Sequence, residues 1–346
     1  MLAVGVLIMV LLFYTLLVAF GSLLLTSLLI RYALSRSLID IPNARSSHSI
    51  PTPRGGGVAI VLCFLVAMPL WRGDELSVNA VLAILGAGAG VAVLGFLDDH
   101  GHIAARWRLL GHFGAAVWAL FWLGGGLPII NLMGMTVDFG WTGYVCAGLY
   151  LVWMLNLYNF MDGIDGIASI EAICACLGAC MLYWLGGYET LIVAPLLLAM
   201  AVAGFLYWNF PPARIFMGDA GSGFLGITLG VLSLQAAWVS SNLLWVWLIL
   251  LGVFIVDATV TLLRRLLRGD KVYEAHRSHA YQFASRHYGR HMPVTLAVAA
   301  INVFWLLPLA ASVVLWNVDG ALALIVAYVP LVLLAIRFRA GELEKC

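Results

Sequence analysis

The chain alternates between long apolar runs and short polar connections. Each run is close to the roughly 20 residues that an apolar helix needs to cross the hydrocarbon core of a bilayer. We therefore predict eleven membrane-spanning helices. Their limits are 2–30, 55–71, 78–97, 106–124, 141–161, 167–186, 189–208, 222–240, 243–264, 293–315 and 320–337.

The composition supports the bilayer as the solvent of this chain. Hydrophobic residues make up 63% of it and charged residues 10%, against about 25% charged residues in a typical soluble domain. The predicted fold class is an all-α polytopic membrane protein of about 10–11 transmembrane helices, with residues 1–346 as one integral membrane domain among membrane lipids. The connection 124–140 holds two short apolar stretches around Gly134, which predict a small hairpin at the outer face.

The lysine and arginine residues give the orientation. Of the 18 basic residues, all but Arg72 fall in the segments 31–54, 98–108, 209–221, 264–292 and 337–346. The positive-inside rule places these segments on the cytoplasmic side, with the N-terminus outside and the C-terminus inside. The net charge is +1 and no basic, aromatic-interleaved patch is present, so we expect no nucleic-acid partner.

Acidic residues collect at the same ends of the predicted helices. Asp98 and Asp99 end the third run, and Asn159, Asp162 and Asp165 follow the fifth. An ionisable residue near membrane depth costs at least about 2.5 kcal/mol, so such residues have a function by default. Asp162 and Asp165 are three residues apart, which puts both on one face of a helix or turn. The Asp98–Asp99 pair is equally compatible with a solvated helix end.

A glycine-rich stretch opens the eighth run. It reads Gly-Asp-Ala-Gly-Ser-Gly from Gly218, and the N-terminal amides of the helix that follows favour anions. Asp219 in that position suits a hard cation such as Mg²⁺, which prefers oxygen ligands and phosphate partners. In the long loop 264–292, the His-Arg-Ser-His sequence at 276–279 suits a phosphate or sugar site. In the first inner loop, Arg45, His48 and Arg54 are candidates to meet a phosphate.

Carboxylates, anion-binding glycines and basic residues thus share one predicted membrane face. This combination favours phosphoryl transfer on a lipid. An ion channel would need polar lining through the whole membrane, and a proton-coupled transporter would need carboxylates near the midplane. Asp257, in the ninth run, is the one candidate for the latter, and we interpret it as a support for the inner site.

Five motifs in order resemble the polyprenyl-phosphate N-acetylhexosamine-1-phosphate transferases. They are PTPRGGG from residue 51, LGFLDD from 94, NFMDGIDG from 159, FMGDAGSGFLG from 216 and HRSH from 276. The resemblance implies transfer of a sugar-1-phosphate from a UDP-N-acetyl sugar to undecaprenyl phosphate, with release of UMP. It also implies a cytoplasmic active-site groove in a bacterial inner membrane.

The resemblance also implies roles for individual residues. Asp219 would hold Mg²⁺, with Mn²⁺ left open as a substitute. Asp98 and Asp99 would face the lipid phosphate and, with Asp162, form the catalytic set. The substrate-binding residues would be Asn159, Gly163, Ile164, Asp165, Asn209, Phe216, His276, Arg277, His279, Thr52 and Arg54, with Phe216 stacked on uracil.

The chain departs from one branch of this family in its last inner loop. The peptidoglycan enzyme has three consecutive histidines there, whereas this chain has the His-Arg-Ser-His form that resembles O-antigen-initiating transferases. The change argues against a pentapeptide substrate and leaves GlcNAc, FucNAc and QuiNAc open as the sugar. A phospho-MurNAc-pentapeptide transferase and a lipid or ion transporter remain the alternatives, and a homodimer is left open.

Overall fold

Helices dominate the computed structural model, which describes residues 2–42, 47–48, 50–71, 77–101, 103–270 and 276–343. A π-helical turn at Asn302–Leu306 makes α12 and α13 one continuous rod. The helices are α1 Leu2–Ser35, α2 Val58–Leu70, α3 Val78–His100, α4 Ala105–Leu123, α5 Thr142–Met161, α6 Ile167–Gly186, α7 Val193–Asn209, α8 Asp219–Val239, α9 Ser241–Leu250, α10 Gly252–Arg268, α11 Ala280–Tyr288, α12 Met292–Ile301, α13 Leu307–Leu315 and α14 Gly320–Arg337.

The chain is a multi-pass membrane protein. Within the described ranges, eight helices are long and apolar enough to cross a bilayer, and the bent pair α9–α10 would make a ninth. The other two predicted runs also form helices, but α2 has only 13 residues. Helix α4 begins with two arginines in its first turn, and these lower its hydropathy. The predicted all-α membrane class is therefore confirmed.

The centre of the bundle is α8, between α3 and α5. Close approach of backbones holds these helices together: a Cβ on Gly226 would lie 2.6 Å from the Met154 carbonyl oxygen and 2.7 Å from the Leu155 Cα. A Cβ on Gly95 would lie 2.5 Å from the Ala220 amide nitrogen. In lipid, where hydrophobic burial does not draw helices together, small residues of this kind permit the contacts that do.

The predicted polar connections meet at one end of the bundle. Arg54 donates to the Asp99 carbonyl oxygen at 2.6 Å, and the Gly341 amide donates to the Ser278 carbonyl oxygen at 2.6 Å. The predicted hairpin, Ile130–Leu132 paired with Met135–Val137, lies at the other end, where the Trp238 indole donates to Gly126. We call the first end the basic end.

The predicted span 243–264 is not a single straight helix, because the chain bends by 73° between α9 and α10. A buried carboxyl group lies beside the break. Glu171 on α6, fully buried, lies near the Phe254 amide in the first turn of α10. The Asn302 side chain donates to Glu171 at 2.6 Å. Glu171 thus brings carboxyl oxygens close to a helix start, where amides lack partners within the helix.

The inner loop 264–292 is also not wholly irregular, since α11 occupies Ala280–Tyr288. Its first turn is held by Asp257 on α10, whose carboxylate accepts the amides of Ala280 and Tyr281 at 2.9 Å each. Asp257 therefore holds the start of α11 in the inner loop, as our interpretation of this residue as a support requires.

Two glycine substitutions test the close packing of α8. We expect Gly226→Ala to destabilise the protein by about 1–3 kcal/mol, because its Cβ would meet the backbone of α5. Gly90→Ala is the matched control, since a Cβ on Gly90 of α3 meets nothing within 4 Å. Alanine there gains helix propensity of about 0.5–1 kcal/mol. Thermal unfolding in detergent measures both, and equal melting temperatures for the two variants would contradict this packing.

Candidate active site

A polar cavity of about 280 Å³ opens at the basic end. Its walls come from the first inner loop, the end of α3, the loop after α5, the α7–α8 connection and α11. Ten predicted site residues line it: Arg54, Asp99, Asn159, Asp162, Gly163, Ile164, Asp165, Asn209, Phe216 and Asp219. We call it the polar cavity.

Asp99 connects α3 to the start of α8. Its side chain accepts hydrogen bonds from the backbone amides of Asp219, at 3.3 Å, and Ala220, at 3.4 Å. These amides have no partner within their own helix, and the helix dipole favours a negative charge beside them. Only 7% of Asp99 is exposed. Asp99 therefore positions Asp219 at the wall of the cavity.

Asp98 points to a different place. It pairs with Arg108 and accepts the Ile103 amide at 2.7 Å. Arg108 also lies 3.5 Å from the Asp219 carboxylate. A second cavity of about 190 Å³ opens beside this pair, between α3, α4 and α5.

The second cavity has a polar end and apolar walls. Asp98, Arg108 and His112 line its polar end, and it shares Asn159 and Asp219 with the polar cavity. Apart from Asn156, its remaining walls are apolar, and Val91, Leu94, Leu109, Leu155 and Phe160 supply most of them. We call it the apolar cavity. Two compartments of different chemistry therefore meet at Asp219 and Asn159.

Asp162 ends α5 inside the polar cavity. Burial and the carboxylates of Asp219, Asp99 and Asp165 raise its pKa well above the usual range. Across the described residues, no lysine, arginine or histidine forms an ion pair with it. Carboxyl groups are therefore crowded at this point of the cavity, and Asp162 has no cation of its own among the described residues to balance a negative charge.

The loop after Asp162 is held by polar contacts on both sides. Asp165 accepts the Ala213 amide at 3.0 Å and pairs with the His291 imidazole at 3.1 Å. His291 also contacts the Ser47 carbonyl oxygen at 3.0 Å. Burial opposes protonation of His291, but the Asp165 carboxylate overrides it and raises the pKa of this histidine. His291 was not among the predicted site residues.

Asn209 and Phe216 have different functions in the same wall. Asn209, 3% exposed, accepts the Gly166 amide at 3.0 Å and donates to the Ile215 carbonyl at 3.0 Å. It therefore joins the two loops of the cavity. Phe216 is partly exposed and its ring centroid lies 4.8 Å from that of His48. Its ring is thus available to a flat ligand.

The predicted residues of the His-Arg-Ser-His loop do not reach the wall of the polar cavity. His276 and His279 stack on each other at 4.9 Å, and His279 is only 2% exposed. Burial, with His279 and Arg265 nearby, lowers the pKa of His276 to about 3, so its ring is neutral at physiological pH. The Arg277 carbonyl accepts a hydrogen bond from Arg286.

Other predicted positions also lie away from the polar cavity. Thr52 lines a neighbouring cavity that shares Asp165 and Phe216 with it. Arg45, proposed to meet a phosphate, lies outside the described residues.

Sequence reasoning missed Gln282, which lines the polar cavity one turn into α11. Its only signal in the sequence was its position three residues after the last histidine of the motif.

The described residues fit a divalent cation whose ligands are completed by substrate phosphates. No three His, Cys, Asp or Glu side chains converge as a ready-made metal site in the described part of the chain. Mg²⁺, however, is usually held by one or two carboxylates together with substrate phosphates. Asp219 and Asp162, with the crowded carboxyl groups around Asp162, fit that arrangement.

Comparison with known proteins points to one family. The model of glycosyl transferase family 4 matches residues 81–237. A probable undecaprenyl-phosphate N-acetylglucosaminyl 1-phosphate transferase of Bacillus subtilis is 30% identical over 266 residues, which are 75% of this chain and 73% of that protein.

Two further relatives cover much of the chain. An undecaprenyl-phosphate alpha-N-acetylglucosaminyl 1-phosphate transferase of Thermotoga maritima is 27% identical over 84% of this chain and 87% of its own. A phospho-N-acetylmuramoyl-pentapeptide-transferase of Halalkalibacterium halodurans is 29% identical over 64% of this chain and 72% of its own. The chain therefore belongs to glycosyl transferase family 4, within the polyprenyl-phosphate hexosamine-1-phosphate transferase superfamily.

Proposed function

We propose that this protein transfers N-acetylhexosamine-1-phosphate from a UDP-sugar to undecaprenyl phosphate, releases UMP, and so initiates O-antigen or a related cell-surface glycan. The observation that carries the proposal is the meeting of a polar and an apolar cavity at Asp219 and Asn159. A water-soluble donor and a lipid acceptor need such a divided site. The names of the relatives support the lipid and the sugar-phosphate transfer.

The polar cavity is proposed to take the UDP-sugar. Phe216 offers an aromatic face for the base, and the loop from Gly163 to Asp165 forms the opposite side. The apolar cavity is proposed to take the start of the polyprenyl chain. Arg108 at its polar end supplies a positive charge for the lipid phosphate.

Mg²⁺ is proposed to bind at Asp219, with Asp162 as the second carboxylate and Mn²⁺ as a possible substitute. Bound there, the ion would neutralise charge on the pyrophosphate of the donor. The residues of the chain itself orient the two substrates: Asp99 holds Asp219 in place, and Arg108 bridges Asp98 and Asp219.

The chemical step is proposed as a direct displacement. An oxygen of the lipid phosphate forms a bond to the β-phosphorus of the UDP-sugar, the bond from that phosphorus to the α–β bridging oxygen breaks, and UMP leaves with the electron pair. A phosphate monoester carries about −1.5 to −2 charge at neutral pH, so it needs positioning more than a strong base. Asp98, which pairs with Arg108, is proposed to orient the phosphate or take its residual proton.

The basic end is proposed to face the cytoplasm of a bacterial inner membrane, with the N-terminus in the periplasm. The support is the segregation of basic residues in the sequence and the meeting of their segments at one end of the bundle. Among the sugars, GlcNAc is favoured by the names of two relatives, and FucNAc and QuiNAc stay open.

A UMP-release assay tests the function. Detergent-solubilised protein with undecaprenyl phosphate, Mg²⁺ and a panel of UDP-sugars is expected to release UMP with at least one N-acetylhexosamine nucleotide. Release with the pentapeptide nucleotide alone would instead identify a phospho-MurNAc-pentapeptide transferase. Absence of UMP with every sugar would contradict the proposal and favour a transporter.

Neutralising Asp219 tests the metal assignment. Asp219→Asn keeps the size of the side chain but removes the negative charge that would hold the cation, so kcat is expected to fall at least about 100-fold. Asp138→Asn is the matched control, because Asp138 is exposed on the hairpin at the opposite end. A Mg²⁺ titration of UMP release measures both, and near-normal activity of Asp219→Asn would show that the metal is held elsewhere.

Incubation without the acceptor separates the direct displacement from a covalent route. Protein mixed with UDP-sugar and Mg²⁺, but no polyprenyl phosphate, is expected to form no phospho-enzyme, because the acceptor itself is the nucleophile. Intact-protein mass spectrometry is the measurement. A mass increase of a sugar-phosphate on the chain would replace the direct mechanism with a covalent aspartate intermediate.

A further inference from the structure

We propose that Gln282 binds the sugar of the donor nucleotide, through its carboxamide N–H groups, and so contributes to sugar recognition. This inference rests on the proposed function. It concerns a residue that belongs to none of the motifs on which the family resemblance depends.

Gln282 lies in the wall of the polar cavity with its amide group oriented. It is 6% exposed. Its Oε1 accepts the His279 amide at 3.2 Å. This contact turns the oxygen of the carboxamide toward the start of α11 and leaves the nitrogen on the other side. Its Nε2 lies on the side of Gly163, 3.2 Å from where a Cβ on that glycine would be. Among the described residues, Nε2 has no acceptor.

A carboxamide N–H that faces an open cavity and has no protein acceptor is hydrogen-bonded to water until a ligand replaces that water. Nε2 faces the polar cavity in this way, since Gln282 lines it and Nε2 is not sealed off from it. An acceptor on the bound substrate can therefore take the place of the water.

Two contacts prevent Gln282 from moving away from the cavity. Asp257 holds the first turn of α11 by accepting the amides of Ala280 and Tyr281. The Tyr281 hydroxyl donates to the Phe160 carbonyl at 3.0 Å and covers Gly163 so closely that a Cβ there would collide with it. Helix α11 is thus fixed to the loop that follows α5, and the donor is preorganised.

The position of Gln282 in the cavity favours the sugar over the base and the phosphates. Phe216, His48 and Asp165 share a neighbouring cavity on the base side, which Gln282 does not line. Gln282 lies against Gly163, directly after Asp162.

The chemistry of the group agrees with that position. A carboxamide is neutral, and phosphates are usually bound by charged or bidentate donors such as arginine. A neutral donor suits a neutral acceptor, and an N-acetylhexosamine carries these as its acetamido carbonyl and its hydroxyl groups.

Binding of UDP-GlcNAc compared with binding of UDP tests the inference. For Gln282→Leu we expect the Kd of UDP-GlcNAc to rise about 3- to 10-fold, because one neutral hydrogen bond is lost. The Kd of UDP should not change, because UDP has no N-acetylhexosamine to contact this residue. Calorimetry on the solubilised full chain with Mg²⁺ measures both ligands. Gln235→Leu on α8 is the matched control, and both constants should stay at the wild-type value.

Gln282→Glu separates binding from helix capping. The glutamate keeps an oxygen that accepts the His279 amide but has no N–H to donate. Its carboxylate repels both nucleotides, so both Kd values rise, and the Kd of UDP-GlcNAc should rise by the larger factor. Equal weakening of UDP and UDP-GlcNAc, or no weakening of either, would overturn the assignment of Gln282. Wild-type protein that binds neither nucleotide would instead contradict the proposed function itself.

Discussion

The contact between the Asp99 carboxylate and the first amides of α8 is the constraint on which the rest of the site depends. It joins α3, which brings the acidic pair, to α8, which brings Asp219. The Arg54 guanidinium donates to the Asp99 carbonyl oxygen and so attaches the first inner loop to the same residue. Three segments distant in sequence therefore converge on one residue, Asp99, and the wall of the polar cavity follows from their positions.

Glycines make this convergence sterically possible. Gly95 lets α3 touch the backbone at Asp219, and Gly218, at φ +79°, adopts a conformation that L side chains rarely adopt. A Cβ on Gly218 would also lie 2.8 Å from the Asp99 carboxylate. The glycines of the FMGDAGSGFLG motif thus serve helix packing, in addition to the space for an anion that we propose. Phosphate binding alone would not require a glycine at 226, deep between α5 and α8.

The fold class, the hairpin and ten residues of the polar cavity were predictable, because apolar run length, turn residues and acidic motifs are local signals. The bend between α9 and α10 was not, since the polar groups beside it, Glu171 and Asn302, come from other helices. Helix α11 was missed for the same reason, as its cap is Asp257 on α10. Whether Gln282 lines the cavity depends on where α11 packs against the other helices. No pattern in its own segment could therefore have placed it there.

The adjacent residues Asp98 and Asp99 show why one acidic motif serves two compartments. Successive residues on a helix point about 100° apart, so a pair at the end of α3 must face different neighbours. Asp99 faces α8 and the polar cavity, whereas Asp98 faces Arg108 and the apolar cavity. Loss of activity on substitution of either would therefore have different causes: displacement of Asp219 for Asp99, and loss of an oriented Arg108 for Asp98. The two carboxylates of the motif thus face two different cavities, which are the proposed sites of the two substrates.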